Sequence, residues 1–233
     1  MLVCFILVAA TVGAFGLIVN AASWSSSDKW ATYSNGGYIV RNDVWGSGAG
    51  TQTIWANSYK NWGVKANHPN TGGVKSYPHV AKSVNKKISA LSSCKSTFNV
   101  TAPSSGSYSS TYDIWCDNSR YEIMLWMNKN GAVSPIASSW DSKGNPVASA
   151  SKVSIGGHTW NVYKGSNGSN AVFSFVRTSN TSSGTVDVKA ILNWIKNKGW
   201  FGDVTVGEAQ FGFEITSSNG LNFTCNNYSL DSK

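Results

Sequence analysis

Short runs in which apolar and polar side chains alternate recur along nearly the whole chain. Tyr38-Ile39-Val40-Arg41-Asn42-Asp43-Val44-Trp45 is one. Val153-Ser154-Ile155, Trp160-Asn161-Val162-Tyr163-Lys164 and Val172-Phe173-Ser174-Phe175-Val176 are others. A period of two belongs to a strand with one face buried. Turn signals separate the runs: Gly36-Gly37, Gly72-Gly73, Gly156-Gly157 and Gly165-Ser166-Asn167-Gly168. Many short strands so spaced predict an antiparallel sandwich or barrel. One stretch departs from the rhythm. Val188, Ile191, Leu192 and Ile195 follow i, i+3, i+4, i+7, so 186–198 is expected as an amphipathic helix stopped by Gly199. It should pack on the outer face of a sheet and carry no chemistry. The absence of a long linker, repeat or low-complexity tail predicts a single domain over 23–233.

Residues 1–22 are uncharged and almost continuously apolar, and the first ionisable side chain other than Cys4 is Asp28. Val19-Asn20-Ala21, followed by Ala22, offers small residues for cleavage, so 1–22 is expected to be a secretory signal peptide. The basic n-region is missing, and the run is also about long enough, at roughly 20 residues, to span a bilayer. An uncleaved anchor is the competing reading.

The 233 residues suffice for one sizeable all-β domain. Eleven Trp, nine Tyr and nine Phe exceed what a plain surface needs; most should fill the core, and the rest suit stacking on sugar rings. Without Cys4, the three cysteines Cys94, Cys116 and Cys225 allow at most one bridge. No C-x-x-C pattern or histidine cluster suggests a metal, and His68, His79 and His158 read as surface or turn residues. The net charge of +8 comes without a basic block or binding motif, which argues against nucleic acid as a partner. Asn99, Asn167, Asn180, Asn222 and Asn227 begin N-x-[ST] sequons that could carry glycans in a eukaryotic host.

Only three glutamates occur: Glu122, Glu208 and Glu214. Glu122 lies in Tyr121-Glu122-Ile123-Met124-Leu125-Trp126 and Glu214 in Gln210-Phe211-Gly212-Phe213-Glu214-Ile215. A carboxylate inside an apolar strand costs several kcal/mol unless paired or hydrogen-bonded. Two of them point to acid/base and nucleophile work on a glycosidic bond. Alternation puts Glu122, Met124 and Trp126 on one face, Glu208, Gln210, Gly212 and Glu214 on one face, and Asp113 with Trp115. A two-residue turn at Asp117-Asn118 would set Asp113 directly opposite Glu122. Met124 and Trp126 fit a core as well as a cleft. Glu208, about 20 Å from Glu214 along an extended strand, reads as structural or as a distal cleft residue.

Asn42-Asp43-Val44-Trp45-Gly46, Val74-Lys75-Ser76-Tyr77-Pro78, Tyr112-Asp113-Ile114-Trp115 followed by Glu122-Ile123-Met124-Leu125-Trp126, and Phe211-Gly212-Phe213-Glu214 occur in that order. Together they resemble glycoside hydrolase family 12, the secreted endo-β-1,4-glucanases and xyloglucan-active enzymes; Trp160 to Gly168 and Phe173-Ser174-Phe175 extend the likeness. The resemblance implies a β-jelly roll of two curved antiparallel sheets with an open substrate groove. It implies Glu122 as nucleophile and Glu214 as general acid/base of a retaining double displacement, with carboxyls about 5–5.5 Å apart. The pKa of Glu214 should be raised toward roughly 6–7. Asp113 would orient the nucleophile and Trp45 would stack under a sugar. Asp43, Met124, Trp126 and Pro135 would be further substrate contacts.

Departures from the family pattern are Asp43 where Asn is usual, no cysteines for an N-terminal disulfide, and a short loop after Asp117. The expected activity is a secreted endo-β-1,4-glucanase on cellulose-type or mixed-linkage glucans, with xyloglucan as the alternative substrate and a non-catalytic glucan-binding protein as the rival class. The expected partner is a β-1,4-linked glucan. No cofactor, metal, nucleic acid or membrane contact of the mature chain is implied, and a monomer is expected.

Overall fold

A computed structural model describes residues 22–233; the apolar run, save for Ala22, lies outside the described residues. Two sheets face each other. The smaller is ordered β1 (Trp24–Ser26), β4 (Thr51–Ser58), β5 (Asn61–Asn67), β15 (Leu221–Ser232), β7 (Cys94–Thr101) and β13 (Ser183–Asp187). The larger runs β10 (Ala150–Ile155), β11 (His158–Ser166), β12 (Ala171–Arg177), β9 (Tyr121–Asn130), β8 (Ser107–Cys116), β14 (Thr205–Ser217), β6 (His79–Lys87), β3 (Tyr38–Arg41) and β2 (Thr32–Asn35). Pairing is antiparallel except between β9 and β12, which run parallel with Glu122 beside Val172 and Trp126 beside Val176.

The aromatic load explains the core. Trp62, Trp160, Tyr112, Phe175, Phe211, Phe213 and Phe223 are fully buried between the layers, and many rings meet edge to face, as Phe98 does Tyr112 and Tyr108 does Phe223. Helix α1 (Val188–Asn197) forms where the 3.6-residue spacing predicts it. Asp187 caps it by accepting from the Ala190 N–H at 3.0 Å, and Gly199 ends it with φ +69°. Val188, Ile191, Leu192 and Ile195 join the main core, and Trp194 meets Phe175 of β12 on the face away from the groove.

One expectation changes. His68 and His79 are not surface residues but fully or nearly fully buried. His68 accepts from the Gly50 N–H at Nδ1, and its Nε2 lies 2.9 Å from Gln52 Oε1 and 3.0 Å from Ser76 Oγ. These partners let a histidine sit where an apolar side chain would otherwise be needed. Cys94, Cys116 and Cys225 are all buried and unbridged.

Candidate active site

Alternation divides the central strands. Ile123, Leu125 and Met127 of β9, Tyr112 and Ile114 of β8, and Ala209, Phe211, Phe213 and Ile215 of β14 enter the main core. Met124 and Trp126 pack with Val172 and Val176 of β12 in a separate small cluster on the opposite face. They therefore belong to the cleft rather than to the inter-sheet core. On that face lies a cavity of about 570 Å³. Asp43, Trp45, Tyr77, Asp113, Trp115, Glu122, Met124, Trp126, Asn167, Gln210 and Glu214 line it. Trp45 is 54% exposed, a bare aromatic plate at the wall. Pro135 is buried, and the wall there is made by its neighbours Ser134 and Ile136.

Strand register alone would bring Glu208, not Glu214, next to Glu122. Glu122 pairs with Trp115, and Trp115 with Glu208; Glu214 pairs with Ser109, whose mate on β9 is Lys129. Yet Glu214 shares the cavity with Glu122, while Glu208 does not line it. Adjacent strands rotate by roughly 20–25°, so a twisted sheet curls along one diagonal and brings its far ends together. Arg41 shows the same skew. It is paired through His79 with Gly212, but its guanidinium grips Glu208, four residues along β14, at 2.7 and 3.1 Å. Both displacements run in one sense across the sheet.

The β8–β9 turn differs from the two-residue expectation. It takes four residues, 117–120, with Asp117, Asn118 and Ser119 all at positive φ. Asp113 is therefore opposite Met124, and Trp115 is opposite Glu122. The slip is two positions in register, so every side chain keeps its face and Asp113 stays diagonal to Glu122 in the cavity. The longer turn is held by Asp117, which accepts from the Thr205 N–H at 2.7 Å.

The electrostatics set this face apart. Burial pushes Glu214 up to about 7, aided by the nearby Glu122 charge. Burial likewise raises Glu122 to about 7, against a 3.1 Å hydrogen bond donated by Asn167 Nδ2 to its Oε2. Asp113 lies well above the carboxylate range because of burial first, then Glu122 and Glu214. Asp43 is raised to about 6 by burial, with Arg41 opposing. Asp113 Oδ1 and Glu214 Oε2 are buried with no protein partner, as is Trp126 Nε1. All three residues line the same cavity, and such a gathering of unsatisfied buried polar atoms is a mark of a functional site. Glu208 is the opposite case: burial raises it, but Arg41 and Gln210 outweigh this and hold it low. It is a structural ion pair.

The sequence motifs turn out to be scaffolding for these groups. Asp43 has φ +43°, re-aiming the chain before Trp45. Asn42 beneath it is pinned by Gln52 and by its own bond to Asp28 O at 2.7 Å. A Cβ on Gly46 would sit 2.0 Å from Val74 O, and one on Gly212 would sit 2.0 Å from Pro78 O, so both must be glycine. Buried Lys75 donates to Ser47 O at 2.8 Å and to Gly72 O, tying the loops under Trp45. Asn167, Tyr77, Trp115 and Gln210 complete the wall although sequence reasoning gave them no role. Asn167 looked like a turn residue and a sequon; only its place in the Trp160–Gly168 likeness signalled more. Its amide nitrogen bonds Glu122 and Asn170, so a glycan there would displace both contacts. Among the described residues no group of three His, Cys, Asp or Glu side chains is placed to hold a metal ion.

Comparison with known proteins identifies the family. The family model described as Glycosyl hydrolase family 12 matches residues 22–232. A xyloglucan-specific endo-β-1,4-glucanase A of Emericella nidulans is 30% identical, covering 87% of this chain and 88% of that protein. The xyloglucanase domain of NopAA, a type three effector from Sinorhizobium fredii solved in complex with cellobiose, superposes with a TM-score of 0.89 at 44% identity. That match covers 91% of this chain and 100% of that one. The native family 12 xyloglucanase from Bacillus licheniformis gives 0.76 at 28% identity, covering 90% and 100%. With the family model spanning nearly all described residues and the fold shared, this chain belongs to glycosyl hydrolase family 12, and it is a β-jelly-roll glycoside hydrolase.

Proposed function

We propose that this chain is a secreted endo-β-1,4-glucanase that cuts xyloglucan-type chains by a retaining double displacement. The observation that carries the reading is one cavity holding Glu122 and Glu214, both raised to about 7, beside a still more strongly raised Asp113. Two interacting carboxyls cannot both ionise freely, so near neutrality they share one proton. Asn167 favours charge on Glu122, whereas Glu214 has a buried oxygen with no partner to stabilise a charge. The proton therefore resides on Glu214. In this assignment Glu214 protonates the leaving oxygen while Glu122 attacks the anomeric carbon; Glu214 then deprotonates the water that releases the sugar. Asp113, kept protonated, adds no second charge beside Glu122 and so leaves it free to ionise. Trp45 offers a stacking surface, and Asp43, Met124 and Trp126 line the path of the chain.

The xyloglucan preference, rather than unbranched glucan, rests on the relatives named above. Secretion rests on the apolar uncharged run before Ser23. Glu122→Gln and Glu214→Gln should each lower turnover by roughly 10²-fold or more while oligosaccharide binding persists. The check is the viscosity loss of xyloglucan and of mixed-linkage β-glucan, side by side. A wild-type protein that thins neither polymer refutes the hydrolase assignment and restores the sugar-binding reading.

A further inference from the structure

A second cavity, of about 340 Å³, opens beside the first and shares Trp115 and Gln210 with it. Around Trp115 it presents Ser83, Asn85, Asn118, Ser119 and Glu208. Three irregularities converge there. Val84 and Asn85 of β6 oppose the single Gly207 of β14, a bulge that re-aims Asn85 with φ +50°. Asn118 and Ser119, in the four-residue turn, have φ of +52° and +67°. Non-glycine residues seldom take this conformation, and each instance costs on the order of 1 kcal/mol. The plate itself is clamped. Trp115 Nε1 donates to Gln210 Oε1 at 3.4 Å, Gln210 Nε2 donates to Glu208 Oε1 at 2.7 Å, and Arg41 holds Glu208.

The chemistry of this cavity is that of a neutral polyhydroxylated ring. Its one carboxylate is already neutralised by Arg41, which leaves no net charge for an ion. What remains is an indole face surrounded by amides and hydroxyls. The catalytic cavity lies next door and shares Trp115 and Gln210, so a ring held here stays within reach of a chain bound over Glu122. We propose that this side cavity binds a pyranose branch of the glucan, the α-linked xylose of xyloglucan being the fitting case. The proposal rests on the hydrolase reading above and gives a local reason for a xyloglucan preference.

The test compares kcat/KM on xyloglucan and on mixed-linkage β-glucan for the wild type and two variants. Asn85→Gly with Asn118→Gly removes two hydrogen-bonding side chains and relieves both positive φ values; Ser83→Trp fills the cavity. Each should lose about tenfold on xyloglucan and stay within about twofold on the unbranched polymer, with melting temperature reporting an intact fold. Calorimetry of a xylosylated cellotetraose and of plain cellotetraose, in the Glu122→Gln background, should show the same split. Unchanged xyloglucan kinetics in both variants overturns the branch site; so does an equal loss on both polymers, which would make the cavity a main-chain subsite. A wild type inactive on both polymers fails at the earlier step, the hydrolase reading, and is told apart because the variants then have no activity to compare.

Discussion

Asn167 is the residue whose part is easiest to overlook. It is exposed and sits in a Gly/Ser/Asn turn, yet among the described residues it makes the only side-chain hydrogen bond to Glu122. Its own oxygen accepts from the Ser169 and Asn170 N–H groups at 2.9 and 2.8 Å, which fixes the direction of its amide. That donation favours the ionised form of Glu122 against burial. Removing it in Asn167→Ala should raise the pKa of Glu122 further, so the acidic limb of the kcat/KM profile moves upward by about one unit. The alkaline limb, assigned to Glu214 in the proposed mechanism, should move much less. A profile lowered uniformly at every pH would instead mean that Asn167 only supports the loop.

At the scale of elements, the sequence pattern was most legible where one physical rule acts alone. The helix was readable because only a 3.6-residue period buries Val188, Ile191, Leu192 and Ile195 together, and Asp187 and Gly199 supply its ends. Strand faces were readable for the same reason, and residues from all four family motifs line one cavity. The β8–β9 turn was not, because Asp117-Asn118 satisfies the two-residue rule locally while the bond from Thr205 N to Asp117, 88 residues away, selects a longer turn. The buried histidines were illegible because their partners come from distant segments. The meeting of Glu122 with Glu214 depends on sheet twist, which no local pattern encodes. Close strand contact can be tested directly. Gly212 leaves a Cβ no room against Pro78 O. Gly212→Ala should therefore push β14 away from the segment preceding β6, cost about 2–3 kcal/mol in urea unfolding, and displace Glu214 two residues on. Near-normal stability and activity would show that the backbone yields cheaply there.

For the whole molecule, the groove sets a conflict between catalysis and stability that pH should expose. Glu122 and Glu214 have folded-state pKa values near 7 against an ordinary 4.5, Asp43 near 6 against 3.8, and Asp113 is raised further. Between pH 4.5 and 7 the folded chain thus holds more protons at these sites than the unfolded one, and stability falls as pH rises through that window. His68 and His79 act in the reverse direction. Burial lowers both to about 4 from 6.5, so the unfolded chain holds more protons between pH 4 and 6.5 and stability rises with pH there. Four raised carboxyls outnumber three depressed imidazoles, His158 being lowered by burial as well, so the melting temperature should peak in mild acid and decline toward pH 8. Glu214→Gln separates the terms, because a neutral amide replaces a charge forced into a dry site. At pH 8 it should melt above the wild type, by an amount on the order of 2 kcal/mol, while at pH 4.5 the two should coincide. Scanning both proteins by calorimetry across that range decides the matter: a gap that is constant with pH would place the cause in packing rather than in the ionisation of Glu214.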